Sequence, residues 1–249
     1  MAGLASKPAL KPATKPDFSR RSSESEWLDD ADMQPAELAL VLRDLARFNG
    51  AMLGHWPVIS WLRRATRRVP KGETLTLLDV GCGYGDLLRA VRRWSRRTGV
   101  PLRLIGLDLS PETIRIAQQA TRAEDEIEYR SGDMFEFEPA APVDFVVSSL
   151  TAHHFSDAMI VRFLRWMEAN ARKGWLIYDL QRHALPYLFI GLMGKLTRLH
   201  PMVIHDGRIS VTRSLTRAEW NDRIAEAGIP YGAIDLRWFM FRFIIGRLR

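Results

Sequence analysis

From residue 77 to residue 86 the chain reads Leu-Leu-Asp-Val-Gly-Cys-Gly-Tyr-Gly-Asp: an apolar run, an acid, and three glycines at alternate positions. Asp79 ends a predicted strand, Gly81, Cys82, Gly83 and Gly85 occupy a turn, and Asp86 opens a predicted helix. Glycines here let the backbone turn tightly and let a ligand approach the peptide units at the carboxyl edge of a sheet. A turn that binds pyrophosphate spaces its glycines G-x-G-x-x-G and offers helix amides to the anion. The spacing here is G-x-G-x-G, and two carboxylates flank the turn. They repel a phosphate and suit a cationic ligand.

The next strand ends continue the pattern. Asp108 closes Leu-Ile-Gly-Leu-Asp at 104–108, followed by Leu109, where a carboxylate can accept from both hydroxyls of a ribose; that position alone would serve NAD equally well. Asp133 and Met134 follow the third predicted strand, placed to accept from an adenine amino group and to pack on its ring. The fourth strand runs out at Ser149 and Leu150. S-adenosylmethionine matches this series, because it carries an ammonium, a sulfonium and a ribose but no phosphate. Ser149 and Leu150 would then face its methyl-donor end.

His153 and His154 lie at a predicted helix start beyond the fourth strand, and His183 just beyond the fifth. A neutral imidazole at His153 or His183 can take a proton from a phenol or enol, which makes both candidate catalytic residues. The plain alternative for the pair is capping and packing. Adjacent residues at a helix start point different ways, so no shared metal is expected. Cys82 reads as a small loop filler rather than a nucleophile.

Short apolar runs at 74–80, 102–108, 127–130, 143–148 and 175–178 alternate with helical periodicities at 85–98, 111–122 and 157–171, a pattern of βαβ units and a parallel sheet covered on both faces. Two closing strands are expected at 233–242 and 243–248. Residues 36–68 read as amphipathic helices, and 215–227 as a helix capped by Thr216. The long apolar segment 182–209, punctuated by Pro and Gly, reads as helices folded over a site. Lys-Pro pairs and few large apolar groups mark residues 1–24 as a disordered tail.

The chain has 249 residues, 47% hydrophobic and 26% charged, which excludes collagen-like, coiled-coil and wholly disordered classes. Its longest uncharged apolar stretch, 184–194, is far shorter than the roughly 20 residues of a spanning helix. A single cysteine permits no internal disulfide and points to a reducing, cytoplasmic compartment. The net charge of +7 and the arginine clusters at 63–68 and 89–103 invite RNA or an anionic membrane surface as a peripheral partner. At helical spacing such runs are usually a solvated face, and no zinc-finger, RNP or KH pattern accompanies them.

Residues 75–180 resemble a class I S-adenosylmethionine-dependent methyltransferase, on LLDVGCGYGD at 77–86, LIGLDLSP at 104–111, SGDMF at 131–135 and DFVVSSLTAHHF at 144–155. The resemblance implies a doubly wound, Rossmann-like α/β fold, with a seven-stranded sheet whose last strand is antiparallel. Residues 26–30, 44–54 and 178–183 are similar to small-molecule methyltransferases found beside type III polyketide synthases and, more distantly, to quinone methylases. These imply a hydrophobic phenolic, quinone-like or polyketide acceptor beneath a greasy cover of Leu180, Leu185, Tyr187, Leu188, Phe189 and Met193. The expected organisation is a tail at 1–24, a helical cap at 25–70 and a methyltransferase domain at 71–249 with 182–209 as acceptor lid. The rivals are a dinucleotide-dependent oxidoreductase, disfavoured by Asp79 and the missing third glycine, and a degenerate fold that binds RNA or membrane.

Overall fold

A computed structural model describes residues 16–30, 33–70, 72–196 and 199–249. Seven strands form one sheet in the order β3-β2-β1-β4-β5-β7-β6. They are β1 (Leu75–Val80), β2 (Leu102–Asp108), β3 (Ile127–Ser131), β4 (Phe145–Ser149), β5 (Gly174–Leu180), β6 (Asp235–Phe239) and β7 (Arg242–Leu248). The first five are parallel, and β7 runs antiparallel to both β5 and β6. The strand order reverses between β1 and β4, where open α/β sheets bind their ligands.

Alternate residues of the buried strands feed opposite layers. Leu77, Leu104, Phe145 and Leu176 pack under α3 (Trp56–Ala65), α4 (Asp86–Thr98) and α5 (Pro111–Gln119). Leu78, Ile105, Val146 and Ile177 pack under α6 (Asp157–Asn170) and α9 (Arg217–Glu226). Local chemistry sets the helix starts: Ser110 and Ser156 accept from Thr113 N and Met159 N, and Thr216 with Glu219 forms a reciprocal capping box. Val58, Trp61 and Leu62 are buried against the sheet, so α3 belongs to this layer and not to the helical cap expected over 25–70.

The cap at the carboxyl end of the strands is made by α1 (Trp27–Asp30), α2 (Pro35–Ala51), α7 (Ala184–Leu196) and α8 (Pro201–Arg213). Gly191 and Gly194 let α7 come close to α8: a side chain at either would run into Arg208 or Ile204. Leu185, Leu188, Leu192 and Leu196 share the outer face of α7 and are exposed.

Two expectations need correction. Residues 1–15 lie outside the described residues, but 16–24 are fastened to the domain rather than disordered. The Phe18 ring meets Tyr187 edge-on at 5.7 Å, Ser22 N donates to Thr212 O at 3.0 Å, and Arg21 donates to Asp157 Oδ1 at 2.6 Å and Arg213 O at 2.7 Å. The arginine run on α4 is also not a solvated face throughout. Arg92 is buried and donates to the carbonyls of Leu102 at 2.9 Å and Asp125 at 2.7 Å, while Arg96 pairs with Asp125 and Arg103 with Glu128, both at 2.8 Å. These three cations serve the fold, while Arg93 and Arg97 of the same run stay exposed.

Candidate active site

The glycine turn is stitched to the neighbouring strand, with Gly81 N and Cys82 N both donating to Leu107 O, at 2.8 and 3.1 Å. Gly81 and Gly85 have φ of +72° and +73°, and a side chain at either would collide with Thr151 or with the Tyr129 hydroxyl. Gly83 differs: open space faces it, so its backbone is bare to a ligand. Asp108 is oriented by two amides, accepting from Gly83 N at 2.9 Å and Ser110 N at 3.1 Å. Burial nonetheless raises its pKa.

Asp79 is the most perturbed acid of the turn. It is buried, and its Oδ1 has no hydrogen-bond partner among the described residues. Burial, then the charges of Asp86 and Asp108, push its pKa well above the usual carboxylate range. A buried carboxylate without a donor is costly unless a cation meets it. Cys82 is buried beside it, and burial together with Asp79 pushes the thiol up too, which leaves it inert as a nucleophile. Asp86 is held from the far side by His55, whose Nε2 lies 2.6 Å from Asp86 Oδ2.

Two cavities open over these strand ends. The smaller, about 650 Å³, is lined by Asp79, Gly81, Cys82, Gly83, Asp86 and Ser149 among others. The larger, about 900 Å³, has an apolar wall from Phe48 of α2 and Met52 just after it, Phe189 and Ile190 of α7, and Phe241. Its polar corner holds Glu26, His153, His154, Asp206 and Ser210. Leu45, Asn49, Leu150 and Arg242 line both cavities. Leu150 sits there with φ +58°, a strained conformation for a residue with a side chain. Arg242 is buried, 2.9 Å from Asn49 Oδ1 and 3.4 Å from the Tyr178 hydroxyl, and makes no ion pair among the described residues.

The sequence-predicted residues divide accordingly. Asp79, Gly81, Cys82, Gly83, Ser149 and Leu150 line the smaller cavity, and Asp108 joins it through Gly83. Leu109 and Asp133 are exposed, and the Asp133 carboxylate is turned to the Phe135 amide at 2.9 Å. Met134 is buried in the core cluster that includes residues of α6, and it lines neither of the two cavities. His183 is exposed and accepts from Leu185 N at 3.1 Å, a local turn contact outside both cavities. Of the expected greasy cover, Leu180 and Phe189 line the larger cavity, whereas Leu185 and Leu188 face solvent.

His153 does line the larger cavity, but not as a free base. Burial alone would disfavour a charged ring; the charge of Asp179 and its contact with Nδ1 at 2.7 Å, with Glu26 opposite, lift its pKa to about 9. At neutral pH the ring already carries the proton that a general base would have to accept. The expectation that the paired histidines diverge also fails, because the 3-10 turn over Ala152–His154 sets their rings 4.3 Å apart. Sequence reasoning missed Arg242, Asn49, His55 and Asp206, which come from elements distant in the chain and carry no local motif.

Residues 77–174 match the family described as a methyltransferase domain. Among curated proteins, the chain is 32% identical over 120 residues to a trans-aconitate 2-methyltransferase of Azoarcus sp. (strain BH72), covering 48% of this chain and 38% of that protein. It is 36% identical over 87 residues to a 2-phytyl-1,4-naphtoquinone methyltransferase of Thermosynechococcus vestitus, covering 35% of this chain and 34% of that protein. The chain thus spans well under half the length of these relatives. Among solved structures, the plantazolicin methyltransferase in complex with a monoazolic desmethylPZN analog and SAH superposes with a TM-score of 0.62 at 14% identity, over 90% of this chain and 93% of that one. Human N-acetylserotonin methyltransferase in complex with SAM does so with a TM-score of 0.60 at 15% identity, over 87% and 56%. The fold is therefore that of these enzymes.

Proposed function

We propose, from the premise that residues 77–174 are a class I methyltransferase domain, that this chain transfers a methyl group from S-adenosylmethionine to a small, largely apolar acceptor, of phenolic, quinone-like or polyketide type. When bound, that cofactor supplies an electrophilic methyl on a sulfonium. The observation that carries the reading is Asp79, a buried carboxylate lacking a donor at Oδ1, beside the open backbone of Gly83 and next to a second, apolar cavity.

The donor set suits this cofactor. In this reading Asp79 would meet an ammonium, Asp108 a ribose diol, and Arg242, which makes no ion pair among the described residues, a carboxylate. Asp79 and Asp86 oppose a pyrophosphate there. The apolar wall of Phe48, Met52, Phe189 and Phe241 excludes water and holds a flat acceptor body, and alignment of this kind supplies roughly 7 to 11 kcal/mol in favourable cases. Leu150 and Arg242, common to both cavities, stand where two ligands would meet.

The test is calorimetric titration with S-adenosylmethionine and with NAD, followed by transfer of a labelled methyl to a panel of phenols, quinols and polyketide pyrones. Binding of the former and labelling of an apolar oxygen-bearing acceptor are expected. A preference for NAD, or no affinity for S-adenosylmethionine, overturns the reading.

A further inference from the structure

We propose that Glu26, His153 and His154 form a binding site for one divalent transition-metal ion in the polar corner of the larger cavity, with zinc as the reference ion. The three side chains come from two distant parts of the chain and present one ligand atom each within 4.8 Å of one another. Nε2 of His153 lies 3.6 Å from Glu26 Oε1, and Nε2 of His154 lies 3.9 Å from Glu26 Oε2. Both separations are too long for a hydrogen bond. Two ligands bound about 2.0–2.1 Å from a tetrahedral ion stand roughly 3.3–3.4 Å apart, so each histidine is within about 0.6 Å of ligand spacing from its nearer Glu26 oxygen, and the three ligand atoms draw in from a spread of no more than 4.8 Å.

The outer groups are those that histidine ligands require. A ligating imidazole usually gives its second ring nitrogen to a carboxylate or carbonyl, which fixes the tautomer and aims the first at the ion. Here Nδ1 of His153 is 2.7 Å from Asp179 Oδ1, and Nδ1 of His154 is 3.5 Å from Asp29 Oδ1. Both rings therefore turn Nε2 towards Glu26. Ser210 donates to Glu26 Oε1 at 2.7 Å, while Oε2 accepts no hydrogen bond among the described residues. Arg213 reaches Asp29 at 2.9 Å and Glu26 at 4.0 Å, and Arg21 donates to His153 O at 3.2 Å, so an ion would bind among three carboxylates and these two cations and would displace the proton that His153 carries.

Two imidazoles and one carboxylate leave coordination positions for other ligands, and all three residues line the cavity. An ion there would take an oxygen of whatever occupies the cavity, choosing molecules with a hydroxyl or enolate at one end of an apolar body. The metal site stands on these residues alone, whether or not the chain proves to be a methyltransferase.

The experiment is direct and needs no acceptor. Full-length protein without a polyhistidine tag is titrated with Zn2+ against a chromogenic chelator and, separately, with Co2+ while visible absorption is followed. One equivalent of tight Zn2+ and a cobalt spectrum of four- or five-coordinate type are expected. His154→Ala, at a half-exposed residue whose loss the fold should tolerate, and Glu26→Gln should each weaken Zn2+ by more than about tenfold. His183→Ala should bind like the parent. Absence of stoichiometric binding in the parent, or affinity unchanged in folded His154→Ala protein, overturns the proposal, whatever Glu26→Gln does to folding.

Discussion

Asp108 at the end of β2 accepts a hydrogen bond from the backbone of Gly83 across 2.9 Å, so the acid proposed for a ribose is oriented by the loop proposed for the rest of the same ligand. Removing the carboxylate would take away its own bonds to the ligand and leave the loop amide unpaired. Each charged hydrogen bond is worth about 1.5–3 kcal/mol, roughly ten- to a hundredfold in affinity. Asp108→Ala should therefore lose measurable S-adenosylmethionine binding by calorimetry while melting close to the parent. Unchanged affinity would mean that the cofactor lies elsewhere.

Asp79 allows stability and binding to be separated. Its folded pKa is raised above the unfolded value of about 3.9, so its contribution to stability is intact below that value and is lost as pH rises towards the folded pKa. Asp79→Asn should abolish this loss. The variant should melt higher than the parent at neutral pH, with the advantage shrinking as pH falls towards 4, and should bind S-adenosylmethionine much more weakly. A variant that melts lower at pH 7 would indicate that the native carboxylate already has a cationic partner.

Phe189 and Leu188 are neighbours on α7 with opposite surroundings, the first lining the larger cavity and the second 60% exposed. Phe189→Asp should cut methyl transfer to an apolar acceptor by at least about tenfold while cofactor affinity stays within a few-fold. Leu188→Asp should change neither. Equal effects from both, measured as turnover and calorimetric affinity on the same preparations, would show that α7 does not wall the acceptor.

The β6–β7 hairpin turns through Met240 and Phe241, both with positive φ, +42° and +66°. Such turns ordinarily use Asn and Gly; bulky residues there carry roughly 1–2 kcal/mol of strain each. Both line the larger cavity, which accounts for the strain being kept. Met240→Asn should raise Tm by a few degrees, at about 2–4 °C per kcal/mol for a chain of this size, and should impair transfer to apolar acceptors. A fall in Tm would show that the Met240 side chain contributes more than its backbone costs.

The parts of the site that the sequence disclosed are those carried by contiguous runs. Asp79, the glycines and Asp108 sit where a strand stops and a helix begins, and the change of periodicity marks both places. Arg242 and Asn49 meet only because β7 inserts beside β5 and brings the chain's end to its beginning, a pairing that no local pattern encodes. His153 and His154 were legible as types, but the 3-10 turn that brings their rings together depends on Asp179 from the adjacent strand. Phe18 and Arg21 are isolated in a polar, Pro-spaced run, whose composition conceals that one ring, one guanidinium and backbone bonds at Phe18 and Ser22 fasten it.

Leu45, Asn49, Leu150 and Arg242 each belong to the walls of both cavities. A shared wall makes the two occupants thermodynamically interdependent. By linkage, if filling the smaller cavity changes affinity in the larger by some factor, filling the larger changes affinity in the smaller by the same factor. The order in which the ligands arrive then alters the kinetics without altering that factor, and a single residue such as Leu150 can tune it because it faces both.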